Sequence, residues 1–322
     1  MPRIARFEYP GAMVHIMSRG LDGMKIFQDS MDRAFFLSHL RDGLKRTGYM
    51  CYAWTLMDTH YHLFLRTSEL PMSFLMRSLN GSYGKYYNKK YHRRGYLFQD
   101  RFKSILCYEQ DYARQMIRYI HLNPVRAGLV EGLEELATWD WCGHGFLLNA
   151  PRATGRSFQN REEALRRFGK TENEAIDAYT SYLVEGLEKN RQKAAGSLNF
   201  FLGNAMKQST KGLPAIIGNP EFVRNARERN ALRLSNLKAY QTDPDLLKEI
   251  ADNVCSKYDI TQQELLRQGR NNARSKARKD FIIRAHVHHH IPVSAIAQYL
   301  HLTLPPVSII LSKHRQTLNE RS

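Results

Sequence analysis

The sequence predicts an α+β fold, in which a ferredoxin-like split βαβ domain with an antiparallel sheet and helices precedes a helical C-terminal region. Apolar runs of strand length alternate with longer segments whose apolar residues recur at helical spacing, whereas the segments after residue 148 read as helical. The order of the first seven segments is β-α-β-β-α-β-α, and the first six match the split βαβ arrangement. The seven segments are residues 13–18, 29–47, 50–57, 59–66, 71–91, 96–107 and 110–122.

The first four segments follow from their side-chain patterns. Residues 13–18 read MVHIMS and predict a strand. Residues 29–47 predict a helix because their apolar side chains recur at helical spacing; these are Met31, Phe35, Phe36, Leu40 and Leu44. Residues 50–57 and 59–66 predict two strands, which the turn formers Asp58 and Thr59 join.

The next three segments complete the predicted domain. The helix over 71–91 begins after Pro71 and carries one apolar stripe made of Phe74, Leu75, Leu79 and Tyr83. Residues 96–107, YLFQDRFKSILC, predict a further strand or a strand followed by a loop. Residues 110–122 predict a helix that Pro124 and Gly128 close.

Three domains are predicted. The first spans residues 1–148 and ends after the aromatic cluster Trp139-Asp140-Trp141. Residues 149–244 are a helical linker region, in which Gly203–Pro220 has the glycine and proline content of a connection. Residues 245–322 form a third unit that is helical and basic.

Composition restricts the functional class. The 322 residues carry a net charge of +17, which indicates a polyanionic partner such as nucleic acid. No apolar run reaches the roughly 18–20 residues that span a bilayer, and the N-terminus lacks a signal-peptide core, so a membrane partner is disfavoured. The four cysteines are scattered without a CxxC pair, which argues against a zinc ribbon or a disulfide framework and favours a cytoplasmic protein.

A His-x-His pair lies in the apolar strand over residues 59–66. Side chains alternate between the two faces of a strand, so His60 and His62 share one face while Tyr61 points to the other. Two imidazoles on a rigid strand make half of a divalent-metal site. A second His-x-His, His286 and His288, falls in a predicted helix, where such residues diverge, and it is not expected to bind metal.

The helix over 110–122 offers the other half of such a site. Tyr119 and Asn123 are four residues apart, so a phenol and an amide share one helical face. Packing this helix on the sheet would complete the metal site and place a nucleophile beside it. Among the 17 tyrosines, Tyr108 and Tyr112 are rival nucleophiles on or near the same helix.

Three motifs in order, MDTHYHLFL, QDRFKS and RYIHLNPVRAGLV, resemble the single-tyrosine HUH transposases. Within that superfamily the resemblance is closest to the REP-associated tyrosine transposases and the related insertion-sequence enzymes, over roughly residues 5–145. It implies a catalytic domain that cuts and rejoins single-stranded DNA. His60 and His62 match the metal-binding pair, Tyr119 the nucleophile and Asn123 the third metal ligand. Asp58-Thr59 replaces the family's usual Pro-Asn, and both pairs form turns, so a small geometric difference is expected.

The implied chemistry is reversible strand transfer. Mg²⁺ or Mn²⁺ held by His60, His62 and Asn123 would polarise the phosphate, and Tyr119 would form a 5′-phosphotyrosine and leave a free 3′-hydroxyl. A second 3′-hydroxyl reverses this step and joins strands. Expected phosphate contacts in this domain are Arg101, Lys103, Arg118 and Arg126, and expected base-stacking residues are Tyr96, Phe98 and Phe102.

The C-terminal unit predicts a helix-turn-helix. Residues 293–300 and 304–311 form two short helices, and His301 occupies the turn, where histidine tolerates the left-handed conformation. The stretch 245–315 resembles, more loosely, the DNA-binding domain of the replication initiator DnaA. Its expected phosphate contacts lie in a basic run upstream of the two helices; they are Arg270, Arg274, Lys276 and Arg278. The alternative is a helical oligomerisation domain.

The function expected from these features is a metal-dependent transposase that nicks and rejoins single-stranded DNA next to hairpin repeats, as a monomer or a homodimer. Duplex DNA would bind through the C-terminal domain. One alternative is a DNA-binding regulator on the same fold with little catalysis, although such a protein has no need of all four site residues. RNA binding is a third option, which the missing RNP aromatic motifs disfavour.

Overall fold

A computed structural model describes residues 7–149, 158–189, 215–242, 245–267, 269, 272–289 and 291–319. The chain divides into two compact units. The first consists of Met1–Lys45, Tyr49–Thr67 and Met72–Arg224, and the second of Arg46–Gly48, Ser68–Pro71 and Asn225–Ser322. No helix in the described part of the chain has the length and apolar character needed to cross a membrane.

The first unit is built on a five-stranded sheet in the order β2-β3-β1-β4-β5. The strands are β1 (Met13–Arg19), β2 (Met50–Met57), β3 (His60–Arg66), β4 (Lys103–Cys107) and β5 (Ala215–Ile217). β1 pairs antiparallel with both β3 and β4, β2 pairs antiparallel with β3, and β5 is parallel to β4. The first four strands, with the helices between them, confirm the predicted ferredoxin-like arrangement.

The three long helices of the domain are α1 (Ser30–Thr47), α2 (Met72–Lys90) and α3 (Glu109–Arg126). The two faces of β3 meet different helices. Tyr61 packs on Phe36 of α1, with ring centroids 4.7 Å apart, and donates a hydrogen bond of 2.6 Å to Asn80 of α2. α3 contacts β2 and β3. The strand is buried between the two layers, and its interior residues have almost no exposed surface.

Two predicted boundaries are corrected. The strand predicted over 96–107 is regular only from Lys103, and Phe98 instead makes an isolated bridge to Gly20. The helix predicted to close at Pro124 continues to Arg126. Proline removes one backbone N–H, but the helix ends within a turn of it, so little of the hydrogen-bond ladder is lost. Gly128 then takes a positive φ of 67°, which suits a residue without a side chain.

Part of the predicted linker over 149–244 belongs to the first unit. The unit continues with α4 (Leu133–Thr138), α5 (His144–Leu147), α6 (Arg161–Leu165) and α7 (Glu172–Lys189). Leu165, Tyr179 and Leu183 join one buried cluster with Met116 and Ile120 of α3. β5 extends the sheet beyond β4. The first unit therefore reaches beyond residue 148, because α3 needs an apolar cover that residues 158–189 supply.

The remaining helices are α8 (Pro220–Thr242), α9 (Leu246–Tyr258), α10 (Gln262–Leu266), α11 (Asn272–Ile283), α12 (Val293–Tyr299) and α13 (Leu304–Asn319). A π-helical turn, Arg284–His288, follows α11 and contains the second His-x-His. α12 and α13 are the two helices predicted around His301. This histidine has a φ of 51°, which confirms the predicted left-handed turn.

Candidate active site

Three histidines of the sheet face α3. His60 and His62 lie on β3 with ring centroids 5.0 Å apart and planes at 88°. His15 of β1 stacks on His62, with ring centroids 5.0 Å apart and planes at 16°, and its Nε2 lies 2.8 Å from His62 Nδ1. The predicted strand thus places its two histidines on one face.

α3 brings Tyr119 against these histidines. The Tyr119 ring centroid lies 5.6 Å from that of His62 and 5.9 Å from that of His15, both edge to face. The rings that Tyr119 meets are not those near the rival tyrosines. Tyr108 lies against Phe222, with ring centroids 5.0 Å apart and planes at 49°, and Tyr112, like Tyr119, packs against the buried cluster. The geometry therefore brings together the strand and helix halves of the site expected from the sequence.

Asn123 lies one helical turn after Tyr119 and is half-buried. Its Nδ2 donates a hydrogen bond of 2.7 Å to the backbone carbonyl of Tyr119. This bond engages the nitrogen of the amide and leaves the oxygen, which is the atom that binds hard cations. The role of Asn123 as a third ligand remains a prediction.

The atoms of the histidine pair fit a divalent cation. Burial lowers the pKa of His62 well below its usual value, and burial with the nearby Arg19 charge lowers that of His60 to about 4. Both rings are therefore neutral near pH 7, as metal ligation requires. Among the described residues, no hydrogen-bond partner reaches the buried His62 Nε2. Thr59 Oγ1 lies 3.0 Å from His60 Nδ1, which leaves Nε2 as the other nitrogen for a ligand.

The residues that the structure describes do not form a complete metal site from the usual strong ligands alone. Within the described ranges, no three His, Cys, Asp or Glu side chains are grouped so as to hold a metal ion. The predicted set reaches three protein ligands only through the amide of Asn123. Such a set would bind Mg²⁺ or Mn²⁺ with help from water or phosphate oxygens.

The electrostatics at Tyr119 involve Arg126, which follows two turns later in α3. Burial raises the pKa of the Tyr119 phenol, while the Arg126 charge and a hydrogen bond from the Asn123 side chain act in the opposite direction. The Arg126 guanidinium carbon lies 5.8 Å from the Tyr119 ring centroid. Of the predicted phosphate contacts, Arg126 is therefore the one placed directly beside the predicted nucleophile.

The other predicted phosphate contacts of the first unit have different surroundings. Arg101 is exposed in a bend, and Lys103 is half-buried at the start of β4. Arg118 packs on α7, with its guanidinium 3.8 Å from the Tyr182 ring centroid and Nη1 3.5 Å from a Glu185 carboxylate oxygen. A phosphate would have to compete with these contacts for Arg118.

The predicted phosphate contacts in the basic run of the second unit also differ in their surroundings. Arg270 lies outside the described residues. Lys276 is exposed and Arg274 is half-buried. Arg278 donates hydrogen bonds to three backbone carbonyls, that of Leu265 in the last turn of α10 and those of Arg267 and Gly269 just after it. Arg278 therefore ties down this loop, a role that the sequence did not suggest.

The β2–β3 turn departs from the family's Pro-Asn without loss of the hairpin. Met57 pairs with His60 across the turn. The Asp58 carboxylate makes ion pairs with Lys25 at 2.8 Å and Arg33 at 2.5 Å, and its carbonyl accepts from the amides of residues 26 and 27. These contacts anchor the turn that precedes His60.

Sequence reasoning missed a second polar cluster, which lies on the far side of α3. The Tyr179 hydroxyl of α7 lies 2.7 Å from Nδ1 of His121 and 2.6 Å from Nδ1 of His144. All three side chains are buried. The hydroxyl donates to one imidazole and accepts from the other, so the three groups hold α3, α5 and α7 together.

This cluster predicts that stability falls in mild acid. Burial lowers the pKa of His144 to about 4 and that of His121 well below 6.5. The unfolded chain therefore binds protons first as pH falls, so the free energy of unfolding decreases from about pH 6.5 toward pH 4. We expect urea unfolding to show a loss of roughly 2 kcal/mol per buried histidine between pH 7 and pH 5.

His144→Asn is the control for this pH dependence. Asparagine keeps a polar atom near the position of Nδ1 but does not titrate, so the variant should lose less stability on acidification than the wild type. An identical loss in both proteins would show that His144 does not contribute.

The sheet and α3, which together form the candidate site, lie in a segment of the chain that is similar to a known family. Residues 9–123 match the family model described as IS200-like transposase. This segment contains His15, His60, His62, Tyr119 and Asn123. The match confirms the resemblance to single-tyrosine transposases over this segment.

Solved structures give a weaker likeness. The chain is similar to a REP-associated tyrosine transposase bound to a REP hairpin, with 16% sequence identity and a TM-score of 0.37. The match covers 50% of this chain and 90% of that chain. No curated protein gives a significant match.

Proposed function

We propose that this transposase cuts and rejoins single-stranded DNA through a covalent bond to Tyr119. The observation that carries the proposal is the position of Tyr119, whose ring centroid lies 5.6 Å from the ring centroid of His62. His62 is neutral, and among the described residues nothing pairs with its Nε2. A nucleophile beside an open ligand atom is the arrangement that metal-assisted phosphoryl transfer requires.

The metal ligands in this proposal are His60, His62 and Asn123. IS200-like transposases generally use a divalent metal ion. Here Mg²⁺ or Mn²⁺ would polarise the scissile phosphate and stabilise the leaving 3′-oxygen. The chain itself supplies rigidity, because β3 is buried on both faces and holds the two imidazoles in place.

Tyr119 and Arg126 act on the phosphate directly. The Tyr119 oxygen attacks phosphorus after losing its proton, the bond from phosphorus to the 3′-oxygen breaks, and that oxygen takes up a proton to become a hydroxyl. The products are a 5′-phosphotyrosine and a free 3′-hydroxyl, and a second 3′-hydroxyl reverses the step. The positive charge of Arg126 favours both the phenolate and the charged phosphate.

The substrate in this proposal is single-stranded DNA next to a hairpin repeat. The three motifs that resemble REP-associated transposases support the hairpin, and the net charge of +17 supports a polyanion. Arg101, Lys103 and Arg118 remain proposed backbone contacts. Tyr96 is a proposed base-stacking residue, because 85% of its surface is exposed.

The test is formation of a protein–DNA adduct. The full chain is incubated with single-stranded oligonucleotides that carry hairpins, labelled on the 3′ side of the expected nick, with Mn²⁺ or Mg²⁺. We expect a labelled adduct that survives denaturing electrophoresis, disappears with chelator and maps by mass spectrometry to the peptide containing Tyr119.

Two results would count against this proposal. An adduct on the peptide containing Tyr112 would move the nucleophile to that residue. Tight binding of the same oligonucleotides without an adduct, across many hairpins and both metals, would favour a DNA-binding regulator on this fold.

We further propose that residues 245–322 bind duplex DNA as a helix-turn-helix domain, within a protein that acts as a monomer or a homodimer. α12, the left-handed turn at His301 and α13 support this proposal. The second helix of such a pair enters the major groove. The exposed Lys276 is a proposed phosphate contact.

Lys276 and Arg278 should respond differently to truncation. Lys276→Ala removes an exposed charge, so we expect weaker DNA binding with a shallower salt dependence and a change in stability within about 0.5 kcal/mol. Arg278→Ala leaves the carbonyls at the end of α10 and just after it without this donor, so we expect a loss of about 1–2 kcal/mol. Fluorescence anisotropy at several salt concentrations and urea unfolding measure the two effects. Equal effects of both variants on unfolding would contradict the assignment.

A further inference from the structure

We propose that His15 is a positioning residue for the metal site. It accepts a hydrogen bond from His62 Nδ1 and so fixes the tautomer in which His62 Nε2 can bind a metal ion. The inference rests on the proposed function, because it assigns a role to a residue that acts on a proposed ligand. His15 would not itself touch metal or DNA.

The sheet register places the two rings together. β1 and β3 are antiparallel neighbours in which His15 pairs with Phe64 and Met17 pairs with His62. His15 and His62 are therefore diagonal neighbours on one face of the sheet, and long side chains at such positions meet. His15 Nε2 lies 2.8 Å from His62 Nδ1, and both residues are 1% exposed.

The hydrogen bond between two neutral imidazoles has only one proton, which either ring can supply. If His15 Nε2 donates, the proton of His62 lies on Nε2, and that nitrogen cannot bind a metal ion. If His62 Nδ1 donates, Nε2 of His62 carries a lone pair. Only this second tautomer is competent for ligation, and it requires His15 to be the acceptor.

The surroundings of the pair agree with an open ligand atom. Within the described part of the chain, His62 Nε2 and His15 Nδ1 are both buried without a hydrogen-bond partner. A buried polar atom without a partner is costly, so such atoms mark a strained or functional site. A metal ion would satisfy His62 Nε2 and thereby select the tautomer in which His15 accepts.

His15 also packs edge to face with Tyr119, with ring centroids 5.9 Å apart, so its truncation would leave a cavity beside the proposed nucleophile. Two substitutions separate volume from hydrogen bonding. His15→Phe keeps the ring volume and removes the acceptor. His15→Gln reaches the position of Nε2 with an amide oxygen, which restores an acceptor for His62 Nδ1.

The experiment measures Mn²⁺ affinity by isothermal titration of the full chain without DNA, so its readout does not depend on catalysis. We expect His15→Phe to weaken Mn²⁺ binding about 10- to 100-fold, as loss of an outer hydrogen bond to a ligand does. We expect His15→Gln to remain within about 3-fold of the wild type, because it keeps the acceptor. Thermal unfolding of each variant confirms that it folds, and His15→Met replaces His15→Phe if that variant does not.

His62→Ala distinguishes failure of the proposed site from failure of this inference. If the wild type and His62→Ala bind Mn²⁺ equally or not at all, the proposed metal site is wrong, and the role of His15 falls with it. If the wild type binds Mn²⁺ through His62 and His15→Phe binds as tightly, the role of His15 alone is overturned.

Discussion

Tyr119→Phe should abolish the covalent adduct and lower strand cleavage by at least about 1,000-fold, because the variant lacks the only oxygen that can form the phosphotyrosine. The ring remains, so its edge-to-face contacts with His15 and His62 should persist. Binding of the same oligonucleotide and the unfolding midpoint should therefore stay close to those of the wild type. Gel assays of cleavage, with anisotropy for binding, measure the two properties on one protein.

Tyr112→Phe is the matched control, since it removes a hydroxyl from the same helix. It should leave both the adduct and the cleavage rate close to those of the wild type. An adduct that persists in Tyr119→Phe and vanishes in Tyr112→Phe would show that the nucleophile has been assigned to the wrong tyrosine.

Gly20→Ala should destabilise the first unit by about 3 kcal/mol, because the new methyl group has no room. A Cβ on Gly20 would overlap the backbone oxygen of Met24 and lie 2.9 Å from Ile26 Cγ2. The Gly20 amide donates a hydrogen bond of 2.8 Å to the carbonyl of Thr59. Relief of the overlap would therefore shift the turn before His60, so adduct formation should fall as well.

Gly81→Ala in α2 is the control for glycine replacement. Apart from its chain neighbours and the nearby backbone of α2 itself, no atom in the described residues lies within 4 Å of a Cβ built there. Alanine favours helix over glycine, so we expect a gain of about 0.5–1 kcal/mol. Urea unfolding measures both variants. If Gly20→Ala unfolds like the wild type, the segment from Met24 to Ile26 yields at no cost, and the proposed coupling to His60 fails.

Features set by local periodicity were predictable from the sequence. The strand alternation placed His60 and His62 on one face with Tyr61 on the other, and the helical spacing placed Tyr119 one turn from Asn123. The left-handed turn at His301 followed from the tolerance of histidine for that conformation.

Features that depend on pairing between distant segments were not predictable in this way. His15 meets His62 only through the register of β1 on β3, which the pattern within MVHIMS does not contain. Arg118 lies against Tyr182 because α7 packs on α3, and Arg278 binds carbonyls at the end of α10 and just after it. In each case the residue type predicted either a phosphate contact or no role at all. The partner that each residue has in the structure belongs to a different segment of the sequence.

The hydrogen bonds that join Tyr179 to His121 and His144 limit where this protein can be truncated. The family match ends at residue 123, yet the buried hydroxyl that joins the back of α3 to α5 comes from residue 179. A fragment cut at the end of the matched region would keep His60, His62, Tyr119 and Asn123 but would lose Arg126. It would also expose the His121 imidazole and the apolar back of the helix that carries Tyr119. The shortest autonomous form of this domain would therefore have to extend through α7, to residue 189.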